Sequence, residues 1–314
     1  MKYMKHYLDI HDLEDIPQTI LEAIELKNNP YQFKTLGANK TLVMLFFNAS
    51  LRTRLSTEKA AKNLGMDVMV MNVSNTWNLE FEEGTVMNLN KAEHIKEAAK
   101  VMSEYADIIA VRAFPSLVDR EKDESEQVLK GFQQYATVPV VSMESSTAHP
   151  LQALADAITI EEFKQIKKPK VVLSWAPHPK ALPHAVANSF VKMMNQLEVD
   201  FSITHPVGYE LNPPIVGEVE VNYNQEEALK DADFVYVKNW SSYQDYGKIL
   251  TTDSNWMITQ DKLGDAKFMH CLPIRRNVVV EDAVLDSNNS VAIQQAGNRT
   301  YAAQVVLKKI LESI

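Results

Sequence analysis

The sequence predicts an α/β protein of two domains, each built on a doubly wound parallel sheet. Three observations carry this. Short apolar runs alternate with stretches of helical spacing along most of the chain. The alternation pauses at Lys167-Lys168-Pro169, which reads as a hinge, and then starts again. The length, 314 residues, suits two domains of ordinary size.

The elements follow in order. A helix is expected over 15–28, where Ile16, Ile20, Ala23 and Ile24 share a face. Asp15 is its candidate N-cap and Pro17 lies in its first turn. Residues 41–47 read as a buried strand, and 55–64 as a helix closed by Gly65, a natural C′ residue. A second apolar run, 66–73, reads as a parallel strand. Residues 74–89 contain Trp77, Glu80, Glu82, Glu83 and Gly84 without a clean period. They read as a long loop with little apolar content to hold it to its own domain.

A helix over 91–104, a strand over 106–112 ending on Arg112, a polar helix over 121–134 and a strand over 138–143 complete the first half. His149-Pro150-Leu151-Gln152 opens a helix over 153–163. Beyond the hinge come strands at 170–175, 200–204, 234–238 and 268–270. The helices there are 185–195, 224–230, one turn at 282–285, and a last helix at 298–314.

Composition excludes several classes. A net charge of −9 argues against a general nucleic-acid surface, though not against a locally basic site for an anionic substrate. The single cysteine, Cys271, rules out an internal disulfide framework and most cysteine metal sites. No apolar run approaches membrane-spanning length, and residues 1–15 are unlike a secretory signal. A cytoplasmic enzyme is expected.

The chain is organised around Asn48-Ala49-Ser50-Leu51-Arg52-Thr53-Arg54, a turn from strand to helix. The first N–H groups of a helix have no internal partner, and its dipole favours negative charge there. Two arginine forks and two hydroxyls at that place make a site for a multiply charged phosphate. The turn contains no glycine, so it is neither a P-loop nor a dinucleotide fingerprint.

Ligands of open parallel sheets bind beyond the C-terminal strand ends. Polar residues collect there: Arg112, then Glu144 and His149, then Lys238-Asn239-Trp240, and His270 with Arg275-Arg276. Each alone has a plainer explanation. Arg112 could cover a sheet edge, His149 could cap its helix, Arg275-Arg276 could be a solvated pair, and Cys271 reads as a small buried hydrophobe.

Together, Ser50-Leu51-Arg52-Thr53-Arg54, Arg112, His149-Pro150-x-Gln152 and His270-Cys271-Leu272-Pro273 resemble the carbamoyltransferases (transcarbamylases), in the right order over essentially the whole chain. The resemblance implies the aspartate/ornithine carbamoyltransferase fold. A carbamoyl-phosphate domain would span 1–147, with helix 298–314 packing back on it, and an amino-acid domain would span 148–297. It implies attack of an amine on carbamoyl phosphate with release of phosphate, and no metal or organic cofactor.

Carried over position by position, Ser50, Leu51, Arg52, Thr53, Trp77, Arg112, His149, Gln152, Cys271, Leu272 and Arg299 would bind carbamoyl phosphate. Arg112, His149 and Cys271 would be catalytic. Because Arg112 would face the ligand from a strand end, its removal is expected to change stability little.

The stretch Lys238-Asn239-Trp240-Ser241-Ser242-Tyr243 lacks the Ser-Met-Gly motif of enzymes using free ornithine. Trp77, Met143-Glu144, Trp175-Ala176-Pro177-His178-Pro179 and Arg275-Arg276-Asn277 instead resemble the branch using N-acylated ornithine. Glu144, Lys180, Asn188, Lys238 and Arg275 would then contact the acylornithine. Ala92 and Val279 replace an acidic residue and a lysine of the acetyl type, which favours the succinyl type. Lys180 stands where the succinyl type has an arginine for the acyl carboxylate.

The resemblance also implies a homotrimer in which Trp77 reaches a neighbour's site, with no nucleic-acid or membrane partner. Ala148, Ala92, Ala187 and Gln295 depart from an arginine, two prolines and a glutamate. An acetylornithine enzyme and a non-catalytic binding protein of the same fold are the competing readings; a nucleotide-binding protein has little support.

Overall fold

The computed structural model describes residues 4–73 and 77–314. They form two compact units. The first comprises Met1–Ser116, Glu121–Leu151 and Arg299–Ile314; the second comprises Leu117–Arg120 and Gln152–Asn298.

In the first unit the elements are α1 (Ile16–Asn28), β1 (Thr41–Phe46), α2 (Leu51–Asn63), β2 (Asp67–Asn72), β3 (Leu79–Glu80), β4 (Glu93–His94), α3 (Ile95–Ser103), β5 (Ile108–Arg112), α4 (Arg120–Glu124), α5 (Gln127–Tyr135) and β6 (Val140–Glu144). The helix α4 begins one residue before this unit resumes. Next, α6 (Pro150–Phe163) carries the chain into the second unit. That unit holds β7 (Lys170–Trp175), α7 (Ala185–Met194), β8 (Asp200–Thr204), α8 (Pro213–Val216), β9 (Glu220–Asn222), α9 (Gln225–Leu229), β10 (Phe234–Lys238), α10 (Gln260–Leu263), β11 (Lys267–Met269) and α11 (Asp282–Leu285). Finally α12 (Ala292–Leu311) returns the chain to the first unit.

The main sheets are parallel, with strand orders β2-β1-β5-β6 and β11-β10-β7-β8-β9. Strands β5 and β6 are buried throughout, and β1 and β7 after their first residue, as parallel strands covered on both faces require. The edge strand β2 differs. Its apolar residues are only partly covered, and Met69 and Met71 are 52% and 41% exposed.

Four of the expected elements depart from the sequence reading, and α8, β9 and α10 lie outside it. First, α2 starts at Leu51, earlier than expected, because Ser50 is its N-cap and accepts from the Thr53 N–H at 3.3 Å. Its polar first turn hides it from an apolar count. Gly65 ends it as expected, at φ +85°, with a Cβ there falling 1.9 Å from the Lys34 carbonyl oxygen.

Second, 91–104 is not helical throughout. Strand β4 pairs parallel with β3, and α3 begins only at Ile95 with His94 as N-cap. The loop before it is anchored to its own unit. Leu79 is buried, and Phe81 and Trp77 pack on the cluster of Val43, Leu45, Ile95 and Phe132. Residues 74–76 of that loop lie outside the described residues.

Third, 121–134 divides into α4 and α5 at Glu126, which is left-handed at φ 55°. Its carboxylate accepts from the Ser145 and Thr147 hydroxyls and from the Ser146 and Thr147 N–H groups. Those contacts compensate the backbone cost. Fourth, α12 starts at Ala292, six residues before the expected 298. Gln294, Gln295 and Gly297 blur its pattern, and Gly is a weak helix former. Among the described residues, no helix is long and apolar enough to cross a membrane.

Candidate active site

In the first unit, the C-terminal ends of β1, β5 and β6 gather the expected phosphate groups. Ser50 caps α2, and Arg52 and Thr53 occupy its first turn. Thr53 is buried, and its Oγ1 accepts from Arg299 Nη2 at 2.6 Å. Thus α12 supplies a third arginine to the turn. The Leu51 side chain is exposed, so its offering to a ligand is its backbone N–H. Arg54 points away and lies 4.0 Å from Glu58 along the helix.

Arg112 closes β5 and is 5% exposed. Its Nη1 and Nη2 lie 3.1 and 3.0 Å from Glu144 Oε2, and its guanidinium covers the Phe114 ring at 4.2 Å. A register irregularity makes this pairing possible. Val111 lies opposite Ser142, but Arg112 lies opposite Glu144, because Met143 is passed over. Such a bulge re-aims the side chain that follows it. His149 Nε2 lies 3.4 Å from the same Glu144 oxygen. Glu144, expected against the amino-acid substrate, is therefore the shared partner of Arg112 and His149.

Burial draws the Arg112 guanidinium below its ordinary pKa; Glu144 opposes this, and the charge of Arg52 adds to it. The Nε atoms of Arg52 and Arg112 are buried without a hydrogen-bond partner among the described residues. Two guanidiniums that repel one another and keep unspent donors suit a dianion.

In the second unit, Gln152 donates from Nε2 to Asp156 Oδ1 at 2.7 Å, and its Oε1 is buried without a partner among the described residues. Lys238 ends β10, and Asn188 is buried in α7. Cys271 and Leu272 follow β11; Cys271 is buried, and Leu272 is left-handed at φ 55°. The Leu272 N–H donates to His270 Nδ1 at 2.8 Å, which holds that turn.

His178, outside the expected site set, joins two members of it. Its Nε2 accepts from Arg275 Nε at 3.2 Å, and its Nδ1 lies 2.9 Å from the Lys180 carbonyl oxygen. Burial lowers its pKa, the Lys180 carbonyl opposes this, and the charges of Lys238, Arg275 and Lys180 lower it further. A neutral imidazole thus stands among three cations. The signal for it in the sequence is its place just beyond β7, in the Trp175–Pro179 stretch.

Arg276 separates from Arg275. It pairs with Asp282 at 2.8 Å and Asp286 at 2.7 Å, a role in the local fold. Trp77 is half-buried on the core of its own unit.

Comparison with known proteins identifies the family. The profile of the aspartate/ornithine carbamoyltransferase carbamoyl-P binding domain matches residues 5–162. The profile of the Asp/Orn binding domain of the same family matches residues 183–310. The chain is 49% identical to the N-succinylornithine carbamoyltransferase of Bacteroides fragilis (strain 638R), over 99% of this chain and 100% of the relative. It is 35% identical to the N-acetylornithine carbamoyltransferase of Xanthomonas axonopodis pv. citri, over 97% and 96% of the two chains. A crystal structure of acetylornithine transcarbamylase complexed with acetylcitrulline has a TM-score of 0.90 at 34% identity, covering 98% of this chain and 99% of that one. A variant of N-acetyl-L-ornithine transcarbamylase, complexed with carbamyl phosphate and N-succinyl-L-norvaline, has a TM-score of 0.91 at 35% identity, with the same coverage. The chain belongs to the aspartate/ornithine carbamoyltransferase family, on its N-acylornithine branch.

Proposed function

We propose that the protein transfers the carbamoyl group of carbamoyl phosphate to the side-chain amine of N-succinyl-L-ornithine, giving N-succinyl-L-citrulline and phosphate, as a cytoplasmic step of arginine synthesis. The observation that carries this is the pair of buried, unspent guanidinium donors of Arg52 and Arg112, at the start of α2 and the end of β5. Ser50, the Leu51 N–H, Arg52, Thr53 and Arg299 bind the phosphate. Arg112 bridges the phosphate and the carbonyl oxygen, with His149 as a second donor to that oxygen. Gln152 meets the carbamoyl NH2.

The neutral δ-amine attacks the carbonyl carbon. A C–N bond forms, and negative charge collects on the carbonyl oxygen, where Thr53, Arg112 and His149 stabilise it. The C–O bond to phosphate then breaks, and the departing phosphate takes the proton that the nitrogen gives up. The backbone carbonyls of Cys271 and Leu272 accept from the amine. Glu144 keeps Arg112 and His149 in place and meets the amino-acid substrate.

Lys238, Asn188 and Arg275 hold the amino-acid portion, and Lys180 holds the acyl carboxylate. The three cations about His178 support a substrate with two carboxylates, and Ala92 and Val279 support the succinyl type. Lysine keeps the charge but loses the bidentate fork of arginine. The test is phosphate release from carbamoyl phosphate as a function of added amine. Release strictly dependent on an N-acylornithine, with an equal amount of acylcitrulline, is the expected result; none with any acylornithine overturns the reading.

We further propose a homotrimer with shared active sites. Leu51 and Leu55 on α2 and Met69 and Met71 on β2 are exposed apolar residues on neighbouring elements, which supports burial against another copy. Trp77 would complete a neighbour's phosphate site. Mixing the inactive variants Arg112→Ala and Trp77→Ala should then restore partial activity, because a mixed trimer can take each side chain from a different intact subunit. If demonstrably exchanging subunits regain nothing, Trp77 serves only the subunit on whose core it packs.

A further inference from the structure

The second unit contains a connected set of buried polar groups, of which the steps above use only Gln152. Asp156 and Gln295 are each 0% exposed, and Gln152 and His270 are nearly as buried. Asp156 Oδ1 accepts from Gln152 Nε2 at 2.7 Å and from Gln295 Nε2 at 2.6 Å. Gln295 Oε1 accepts from the His270 N–H at 2.8 Å. His270 Nδ1 in turn accepts from the Leu272 N–H.

A side-chain amide can be turned either way, and its neighbours decide which. A carboxyl oxygen that carries no proton only accepts, so the two amide nitrogens at 2.7 and 2.6 Å face Asp156 Oδ1. Gln152 is thereby compelled to present its Oε1 outward, and that atom has no partner among the described residues. Reversing Gln295 would set its carbonyl against the carboxylate and its NH2 against the His270 N–H, two repulsive contacts. One carboxylate thus fixes the direction of two amides, and through the second it fixes the His270–Leu272 turn.

We propose that Asp156 and Gln295 are positioning residues for carbamoyl transfer: Asp156 aims the Gln152 carbonyl at the carbamoyl NH2, and Gln295 carries the same constraint to the turn bearing Cys271 and Leu272. This role rests on the function proposed above. The chemistry of the site requires it, because the carbamoyl nitrogen and the attacking amine are both donors and need acceptors already in place. The residue at 295 follows from the same argument. A glutamate beside Asp156 would need a proton to share, whereas glutamine provides a donor to one side and an acceptor to the other without one.

The test compares Gln295→Met, Gln295→Glu and Asp156→Leu in the full chain. Carbamoyl phosphate should still raise the melting temperature of each variant, since the phosphate groups of the first unit are untouched. In Gln295→Met, kcat should fall about 10-fold or more while KM for carbamoyl phosphate stays within about twofold, and the His270 amide should exchange its hydrogen roughly 100-fold faster. Gln295→Glu restores the acceptor for that amide and, with one shared proton, the donor to Asp156, so it should recover at least about a third of wild-type kcat. Asp156→Leu removes the acceptor from both amides and should lose kcat like Gln295→Met; it decides the matter if the methionine variant does not fold. Wild-type kcat in Gln295→Met or in Asp156→Leu overturns the proposal, as does an equal loss in Gln295→Met and Gln295→Glu. A wild-type protein inactive on every acylornithine overturns the functional reading and this role with it.

Discussion

Arg112→Ala is expected to lower kcat at least about 100-fold, since one lost oxyanion donor is worth roughly 2.7–4 kcal/mol. The same guanidinium also contacts the phosphate, so KM for carbamoyl phosphate should rise as well. Stability should fall too, which revises the expectation drawn from the sequence. Arg112 is buried against Glu144 and over Phe114, and removing one partner of a buried ion pair leaves the other uncompensated. That typically costs about 3–5 kcal/mol, the upper part of which is relieved here because His149 also lies beside Glu144. Steady-state kinetics with a thermal melt check both effects. A folded variant with wild-type turnover would remove Arg112 from the reaction.

Arg275→Ala is expected to raise KM for the acylornithine by about 10- to 100-fold while leaving KM for carbamoyl phosphate unchanged. A hydrogen bond from a charged donor to a carboxylate contributes roughly 1.5–3 kcal/mol. The residue is well placed to reveal that number, because its Nε is already held by His178 and its remaining donors are oriented. Little stability should be lost, since the neighbouring Arg276, not Arg275, carries the ion pairs to Asp282 and Asp286. Steady-state kinetics with each substrate varied separately tests this. Equal changes in the two KM values would mean that Arg275 acts through the fold, not through the amino-acid substrate.

The alternation of β1, α2, β5, β6, α6, β7, α7 and β10 was legible in the sequence because parallel strands buried on both faces are continuous apolar runs. Boundaries set by polar contacts were not legible. The break at Glu126 depends on donors from 145–147, and the early start of α2 depends on the Ser50 cap. Residue types at the strand ends pointed to a phosphate site and to its family. Three features needed coordinates: the irregularity that turns Glu144 toward Arg112, the reach of Arg299 to Thr53, and the place of His178 among Lys180, Lys238 and Arg275. Each joins residues distant in the chain through one side-chain direction, and spacing in a sequence holds no such information.

The most direct measurement is a competition. Limiting carbamoyl phosphate is given to the protein with equal concentrations of N-succinylornithine, N-acetylornithine and free ornithine, and the three citrulline products are quantified by mass spectrometry. Their ratio is the ratio of kcat/KM values, free of differences in protein quality. The account predicts succinylcitrulline in at least about 10-fold excess over acetylcitrulline, since the acetyl group leaves the Lys180 charge unmatched, and almost no citrulline. Acetylcitrulline in excess would contradict the assignment of the acyl group, and citrulline in excess would contradict the use of any acylated substrate.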